Sequence, residues 1–227
     1  MKIDWRTEAP MWALLALLFA FSAMSWAGAP DQIPVHWGLN GQPDRWGGRA
    51  EGLLALPFVT LGIYLLLLFL PRIDPGRANY ATFAKTYAAL RLLILLFLAS
   101  IQVMILMTIR GQHVDMGRMV PVLVGALLII LGNMMGKIRP NWFVGIRTPW
   151  TLSSKESWTR THRAGGWVFM AGGLLLMTSA LFRERSYAIG VEILLGASIL
   201  GLLVYSYLVW RNDPDKVPPA GTSPAES

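Results

Sequence analysis

Five ionisable residues have side chains suited to acid–base or metal chemistry, because imidazoles and carboxylates transfer protons and bind divalent ions. His36 and Asp44 are eight residues apart in one loop, and we expect His113, Asp115 and Glu192 near the same side of the molecule. No His-Glu-x-x-His or similarly dense ligand pattern occurs, and the chain has no Cys. The sequence therefore predicts no bound metal and no cofactor, with His36 as a structural hydrogen-bonding residue.

The loop that contains His36 and Asp44 has the sequence pattern of a β-hairpin. Asn40-Gly41 lies between two short runs with aromatic residues, and a two-residue type I′ turn needs positive φ at both central positions. Because side chains alternate between the two faces, this register predicts that His36 and Asp44 point to opposite faces, unless Gly38 and Pro43 break the alternation. We expect the hairpin to cover one end of the molecule.

Residues 137–165, called the basic segment below, carry six Lys or Arg residues, one acid and three Trp residues between two hydrophobic runs. Indole rings favour the membrane interface, and the negative potential of anionic lipid headgroups attracts basic side chains. The combination predicts a segment that lies against anionic lipid at the inner face of a membrane, with its indoles at the interface: Trp142, Trp150 and Trp158.

The second half of the basic segment has the pattern of a short helix. Ser153 and Glu156 fit a capping box, with Ser153 as N-cap, and Gly165-Gly166 predicts a hinge into the next hydrophobic run. One face of this helix collects four residues at helical spacing: Trp158, Thr161, His162 and Gly165. The pattern fits an interfacial helix with this face on lipid, or a docking surface for a cytoplasmic protein.

Composition places the chain in a membrane. Of its 227 residues, 54% are hydrophobic and 15% are charged, whereas a soluble domain has about 25% charged residues. A helix that crosses the ~30 Å hydrocarbon layer needs about 20 mainly apolar residues. Glu192 is the one ionisable group in the predicted spans and either pairs with Arg185 or handles protons. Six stretches meet the length requirement or nearly do: 11–27, 53–70, 92–109, 119–135, 164–182 and 188–210.

The distribution of Lys and Arg predicts the orientation of these spans. Fourteen of the 20 lie at the two ends and in one set of alternate loops, and six lie in the other loops. The positive-inside rule therefore places both termini and the basic segment in the cytoplasm. The same pattern explains the net charge of +7 without a direct nucleic-acid partner. The predicted fold class is an all-α integral membrane protein, a six-transmembrane-helix bundle with a small extracytoplasmic hairpin loop and a cytoplasmic interfacial helix.

Three regions follow from this organisation. Residues 1–110 form an N-terminal membrane region of three helices with the outer loop 28–52, and residues 111–210 form a C-terminal membrane region of three helices with the basic segment. Residues 211–227 are rich in Pro and predict a disordered tail. An Ala-Gly-Ala sequence after the first span also fits a signal-peptidase site, but the length of the apolar run and the Pro that follows favour a retained helix.

Two motifs resemble the SdpI family of bacterial toxin-immunity membrane proteins. The first, I-P-V-H-W-G-L-N-G-Q-P-D-R-W-G at 33–47, resembles the family's N-terminal extracytoplasmic motif. The second, over 132–163, is similar to the family's signature at the end of its fourth helix and in the loop beyond. The resemblance implies partner-binding candidates in the outer motif: His36, Asn40, Gly41 and Asp44. In the inner motif the candidates are Asn133, Lys137, Arg139, Asn141, Arg147, Thr148, Trp150, Trp158, Thr161, His162 and Arg163, and Pro140, Gly145 and Pro149 match as well.

The resemblance implies a bacterial inner-membrane protein, not an enzyme, that protects its cell against a secreted antimicrobial peptide. The implied partners are anionic membrane lipid, a peptide toxin outside and a repressor protein inside, if the protein also signals. The residues leave two alternatives open. One is a membrane-surface enzyme that uses His36, Asp44 or His113 as acid–base groups or metal ligands. The other is a small proton-linked transporter with Glu192 and Asn133 along its path.

Overall fold

The fold is described from a computed structural model of the chain, for residues 4–38, 41–182 and 185–217. The elements of the first half are α1 (Trp5–Met24), β1 (Ile33–Trp37), β2 (Pro43–Gly47), α2 (Arg49–Ile73), a 3-10 segment (Arg77–Phe83) and α3 (Ala84–Ile109). The second half contains α4 (Met116–Met135), the short α5 (Pro149–Ser153), α6 (Lys155–Ser179) and α7 (Arg185–Arg211). The two strands form the predicted antiparallel hairpin.

Five helical stretches of the described chain are long and apolar enough to cross a membrane: α1, α2, α3 with the preceding 3-10 segment, α4 and α7. The chain is accordingly a membrane protein built mainly from helices. The five helical stretches correspond to five of the six predicted spans. The other long helix, α6, has 25 residues, but its polar first turns and its four glycines make it less apolar than the other five, so it is not in this set. The predicted count of six is therefore not confirmed.

The first three helices pack around an apolar core that also encloses a buried ion pair. Arg91 of α3 is fully buried, and its Nη2 and Nη1 donate to Glu8 of α1 at 2.6 Å and 3.0 Å. The Tyr64 hydroxyl of α2 donates to the same carboxylate at 2.8 Å. Attraction between buried charges offsets the loss of hydration only when geometry is good and further hydrogen bonds are made. The two contacts of Arg91 and the bond from Tyr64 supply these for the Glu8 carboxylate, while Nε of Arg91 is buried without a hydrogen-bond partner among the described residues. The surrounding apolar core contains Met11, Leu15, Tyr64, Leu68 and Leu95.

Helices α4 and α6 lie against each other with glycines at the contact. A Cβ on Gly132 would lie 2.5 Å from the carbonyl oxygen of Gly166, and one on Gly166 would lie 2.7 Å from the carbonyl oxygen of Gly132. Gly125 and Gly173 repeat this reciprocal contact two turns away. Small residues allow two helix backbones to approach closely, which is the usual way to pack helices in a membrane.

The hairpin and the basic segment lie at opposite ends of the helices. The turn residue Gly41 lies against Gly117, in the first turn of α4, and the basic segment begins where α4 ends. The 20 residues of α4 separate these points by about 30 Å, at 1.5 Å per residue. Under the hairpin lies a core of Ala29, Ile33, Leu53, Ile105 and Leu106. The core at the other end joins both halves of the chain through Tyr80, Phe83, Tyr87, Leu90, Met134, Ile138 and Trp158.

Candidate functional site

An irregular register in the hairpin brings His36 onto Asp44. His36 pairs with Arg45, but the next residue, Trp37, pairs with Pro43, so Asp44 is the extra residue of a bulge. Nδ1 of His36 lies 2.5 Å from Oδ1 of Asp44, and both side chains are more than half exposed. The expectation of opposite faces is therefore wrong, because the bulge interrupts the alternation. His36 does make a hydrogen bond, and the pair is accessible from outside the hairpin.

The connection between the strands is longer than the two-residue turn that Asn40-Gly41 predicts. The Gly41 N–H donates to the Gly38 carbonyl at 2.9 Å, and the Gly38 N–H donates to the Gln42 carbonyl at 2.9 Å. These bonds close a three-residue connection, which a two-residue turn does not allow. Gly41 has the expected positive φ, +74°. Asn40 lies outside the described residues.

The other acid–base candidates do not join the hairpin pair in a metal site. Over residues 4–38, 41–182 and 185–217, no three His, Cys, Asp or Glu side chains are close enough to hold one metal ion. His113 and Glu192 are exposed, and Asn133 is exposed on α4. The side chain of Arg185 lies outside the described part of the chain, so its predicted pairing with Glu192 does too.

In the basic segment, the buried Asn141 organises the irregular backbone that follows Pro140. Its Oδ1 accepts hydrogen bonds from the N–H groups of Phe143 and Val144 at 2.9 Å and 2.6 Å. Its Nδ2 donates to the carbonyls of Arg139 and Val144, each at 2.9 Å. Four bonds to one buried amide fix the path of a non-helical backbone, as burial of polar groups requires. Asn141 is therefore a scaffold residue.

Side chains from the connection between α2 and α3 hold this backbone in place. Asp74 accepts from the Trp142 N–H at 3.1 Å and from the Tyr80 hydroxyl at 2.8 Å. Asn79 Nδ2 donates to the Pro140 carbonyl at 2.7 Å. Sequence reasoning did not identify these contributors. The available signal was an Asp-Pro-Gly turn directly after the second span, which marks a fixed connection.

His162 ties the basic segment to α6. Its Nδ1 lies 2.8 Å from the Trp158 carbonyl and donates to it, so Nε2 is free to accept from the Ile146 N–H at 3.0 Å. Gly145 has a φ of +111°, and a Cβ there would overlap Nε2 of His162. Burial lowers the pKa of His162 to about 4. The imidazole is therefore neutral at pH 7, with both nitrogens satisfied in one tautomer.

Trp158 lies in the protein interior, with 2% of its surface exposed. Its Nε1 donates to the Ile138 carbonyl at 3.0 Å, and its ring stacks on His162 with centroids 4.0 Å apart. Thr161 and Gly165 on the same helical face are also buried. The expected lipid-facing or docking surface is not formed by this face, because the basic segment folds back and covers it.

The N-terminus of α6 lies one residue later than predicted. Ser154, and not Ser153, is the N-cap, and its Oγ accepts from the Ser157 N–H at 2.8 Å. Glu156 consequently does not complete a capping box but pairs with Arg160 at 2.5 Å. Ser153, the predicted N-cap, is instead the last residue of the short α5.

The predicted hinge at Gly165-Gly166 is wrong, since α6 runs without a break from Lys155 to Ser179. The physical reason is the contact between Gly166 and Gly132 of α4. Glycine at this position allows the two helices to approach closely, and α6 is continuous through it. The interfacial helix and the predicted span over 164–182 are parts of one helix.

Residues after α7 fold back on the start of α6. Asp213 Oδ2 accepts from the Ser154 Oγ at 2.5 Å, and the Val217 N–H donates to the Ser153 carbonyl at 2.9 Å. The hydrogen bond from Ser154 lowers the pKa of Asp213. Thr148, the N-cap of α5, is also buried, with its Oγ1 3.1 Å from the Ser206 Oγ. The described part of the predicted disordered tail thus makes defined contacts, and residues 218–227 lie outside the described chain.

Another part of the inner motif forms an exposed cationic surface. Of the three Trp residues, Trp142 is 54% exposed, Trp150 is half-buried and Trp158 is buried. The structure therefore divides the motif into a neutral buried scaffold and a set of exposed cations. Five exposed cations of the motif form no ion pair with a described residue and are called the basic surface below: Lys137, Arg139, Arg147, Lys155 and Arg163.

Comparison with known proteins covers both motifs. Residues 137–208 match the SdpI/YfhL protein family, a stretch that includes the basic segment, α6 and most of α7. Residues 13–61 match a domain of unknown function, DUF1648, across most of α1, the hairpin and the start of α2. The resemblance of the inner motif to the SdpI family is confirmed.

Two relatives are similar to the chain over very different lengths. The protein named Immunity protein SdpI, from Bacillus subtilis (strain 168), is 29% identical over 195 residues, which cover 86% of this chain and 89% of that protein. An uncharacterized protein of Archaeoglobus fulgidus is 42% identical over 45 residues, which cover 20% of this chain and 24% of that protein. No solved structure matches this chain significantly.

Proposed function

With residues 137–208 assigned to the SdpI/YfhL protein family, we propose that this membrane protein is an immunity protein. It protects the cell that makes it against a secreted antimicrobial peptide. The observation that carries the proposal is the similarity to Immunity protein SdpI along 86% of the chain. A role in immunity by binding needs no turnover of a substrate, so the proposed protein is not an enzyme.

The proposed topology has six spans in the bacterial inner membrane, with both termini in the cytoplasm. Helix α6 supplies the sixth span, because its 25 residues reach about 37 Å and its apolar part begins at Ala164. Its close contact with α4 supports this placement, since the two helices run side by side. The distribution of Lys and Arg supports the orientation.

Labelling of single cysteines tests this topology directly, because the natural chain has none. We expect Gln32→Cys to react with a membrane-impermeant maleimide in intact cells, and Arg147→Cys and Lys155→Cys to react only after permeabilisation. All three positions are exposed, so accessibility within the fold does not limit the reaction. Labelling of Arg147→Cys from outside would reverse the orientation.

The toxin would meet the hairpin and the mouth of the N-terminal region, 1–110. The hairpin offers an exposed acid–base pair, His36 and Asp44, beside Trp46, which is 53% exposed. An aromatic side chain next to polar groups suits recognition of an amphipathic peptide, because aromatic residues are enriched where binding energy concentrates. The hairpin is held to α2 by the Arg45–Glu51 ion pair at 2.5 Å.

The protection assay is the direct test of the proposed function. A sensitive strain expresses the full chain and is exposed to a panel of secreted antimicrobial peptides, and survival is measured against peptide concentration. We expect protection from the natural chain, reduced protection from Asp44→Ala, and unchanged protection from Asp215→Ala, which removes an exposed carboxylate beyond α7, at the opposite end of the helices. Identical killing with and without the chain would refute the immunity role.

On the inner side, the C-terminal region 111–210 would report toxin binding by holding a repressor protein through the basic surface. The exposed cations Arg139 and Arg147 support this role, since they form no ion pair with a described residue. Crosslinking in toxin-treated cells should recover a DNA-binding protein with the natural chain and less of it with Arg139→Gln and Arg147→Gln together. Protection without any such crosslink would support the immunity role and contradict the signalling role.

A further inference from the structure

An open groove runs between α6 and α7 at the end that carries the basic segment. It holds two adjoining cavities of about 580 Å³ and 450 Å³, which share Arg160 and Tyr205 in their walls. The larger cavity is rich in acid, with Glu156, Asp213 and Asp215 in its lining. The smaller has no acid, and we call it the arginine cavity. Its lining consists of Arg160, Arg163, Ala164, Trp167 and Tyr205.

The two arginines give the arginine cavity a net positive charge. Arg160 shares its charge with Glu156, at 2.5 Å, whereas Arg163 forms no ion pair with any described residue. They are three residues apart on α6 and therefore lie on the same side of the helix. A guanidinium binds a phosphate through paired hydrogen bonds, which makes Arg the residue that best recognises this group.

The other walls of the arginine cavity suit the interfacial part of a lipid. Trp167, one turn beyond Arg163, is 70% exposed, and Tyr205 faces it from α7 with 38% exposed. Indole and phenol rings favour the level of the lipid headgroups. Farther along the two helices, large apolar side chains are exposed and offer a surface for acyl chains: Leu174, Leu200 and Val204.

We propose that the arginine cavity binds one anionic phospholipid of the inner leaflet. Arg163 holds the phosphate with help from Arg160, Tyr205 contacts the headgroup region, and an acyl chain runs past Trp167 along the apolar faces of α6 and α7. The acids of the neighbouring cavity repel the phosphate and confine it to the arginine end. The proposal rests on the six-span arrangement of α6 given under Proposed function.

The full chain in nanodiscs of phosphatidylcholine with increasing phosphatidylglycerol provides the test, with bound lipid counted by native mass spectrometry after detergent exchange. We expect one retained phosphatidylglycerol per chain, and roughly tenfold weaker retention in Arg163→Gln, since one charge-assisted contact is lost. Arg139→Gln removes the same charge from an exposed position of the basic surface and should retain the lipid. Both arginines are exposed, so neither change should disturb the fold.

Each other outcome overturns the proposal. Equal loss in Arg163→Gln and Arg139→Gln would mean attraction to the surface in general and no site. Displacement by glycerol phosphate as effective as by the intact lipid would assign the cavity to a free phosphate ester. Arg163-dependent binding of an acidic peptide, without lipid retention, would assign it to a protein partner. The cysteine labelling above checks the topology separately, and the killing assay checks immunity, so failure of either can be told apart from failure of the lipid site.

Discussion

The two halves of this protein join their helices by different physical means. In the first, α1, α2 and α3 meet at a buried ion pair, where Arg91 and Tyr64 both donate to the carboxylate of Glu8. In the second, α4 and α6 meet through reciprocal glycine contacts, with methionine and isoleucine side chains around them. Between helices in lipid, apolar surface gives little net attraction, so close packing and polar contacts must hold the bundle. The N-terminal half uses polar contacts, and the C-terminal half uses close packing.

The difference affects how each half responds to change. A buried charge becomes very costly when its partner is removed, whereas a close glycine contact responds to added volume. Stability of the N-terminal half should therefore depend on charge, and that of the C-terminal half on size and on the protonation of His162. Four changes test this contrast, from the largest expected effect to the smallest.

Arg91→Leu should be the most damaging change, because it leaves the Glu8 carboxylate buried without its partner. We expect a loss of about 3 to 5 kcal/mol in the free energy of unfolding, measured by denaturant titration in mild detergent. Arg160→Leu breaks an exposed ion pair with Glu156 and should cost only about 0.3 to 0.5 kcal/mol. Adding Glu8→Leu to Arg91→Leu should recover most of the loss. Similar losses for Arg91 and Arg160 would show that burial of the pair has no energetic role.

The pH dependence of stability should report His162. Its pKa is about 4 in the folded protein and 6.5 in the unfolded chain, so the unfolded chain takes up the proton first as pH falls. Stability is therefore full above pH 6.5 and declines between pH 6.5 and 4, by up to about 1.4 kcal/mol per pH unit. His162→Gln should flatten this decline, and His113→Gln, at an exposed position, should not. An unchanged slope in His162→Gln would contradict a neutral buried imidazole.

Gly166→Val should separate α4 from α6, because a side chain there collides with the Gly132 carbonyl. Overpacking of this kind costs about 1 to 3 kcal/mol, visible as a lower melting temperature of the purified protein. The matched control is Gly201→Ala in α7, where a Cβ meets nothing within 4 Å. That change should leave stability equal or slightly raised, since Ala favours a helix more than Gly. Tolerance of Val at 166 would mean that the close contact is dispensable.

Asp213→Asn should give the smallest effect and should act through the folded-back C-terminal segment. The pKa of Asp213 is lowered by the hydrogen bond from Ser154, so the contact is strong at neutral pH and weakens as the carboxylate is protonated in acid. We expect faster proteolysis after α7 in Asp213→Asn, with the melting temperature of the bundle nearly unchanged. Asp215→Asn is the control, since no described side chain bonds to its carboxylate.

The local pattern of apolar and turn-forming residues was enough to predict most of the helices and the hairpin, because both depend on local composition. The partners of polar side chains were not predictable in this way. Glu8 and Arg91 lie just outside the predicted spans 11–27 and 92–109, so they looked like ordinary charges at helix ends. The parallel packing of α1 and α3 brings them together across 83 positions.

The inner motif shows the same limit. Helical periodicity placed Trp158, Thr161 and His162 on one face, and the structure does put them on one face. Periodicity does not say what covers that face, and lipid was the wrong choice because the basic segment returns over it. The bulge at Asp44 was equally hidden, since the Asn-Gly pattern favours a shorter turn than the one that forms.

Through the contact between Gly41 and Gly117, α4 connects the hairpin at one end of the protein with the basic segment at the other. A side chain on Gly41 would lie 2.8 Å from the Gly117 Cα, so the tip of the hairpin sits flush on the start of that helix. Any ligand that moves the hairpin tip outward must either break this contact or displace α4 as well. The C-terminal end of α4 continues into the basic segment, which carries the exposed arginines.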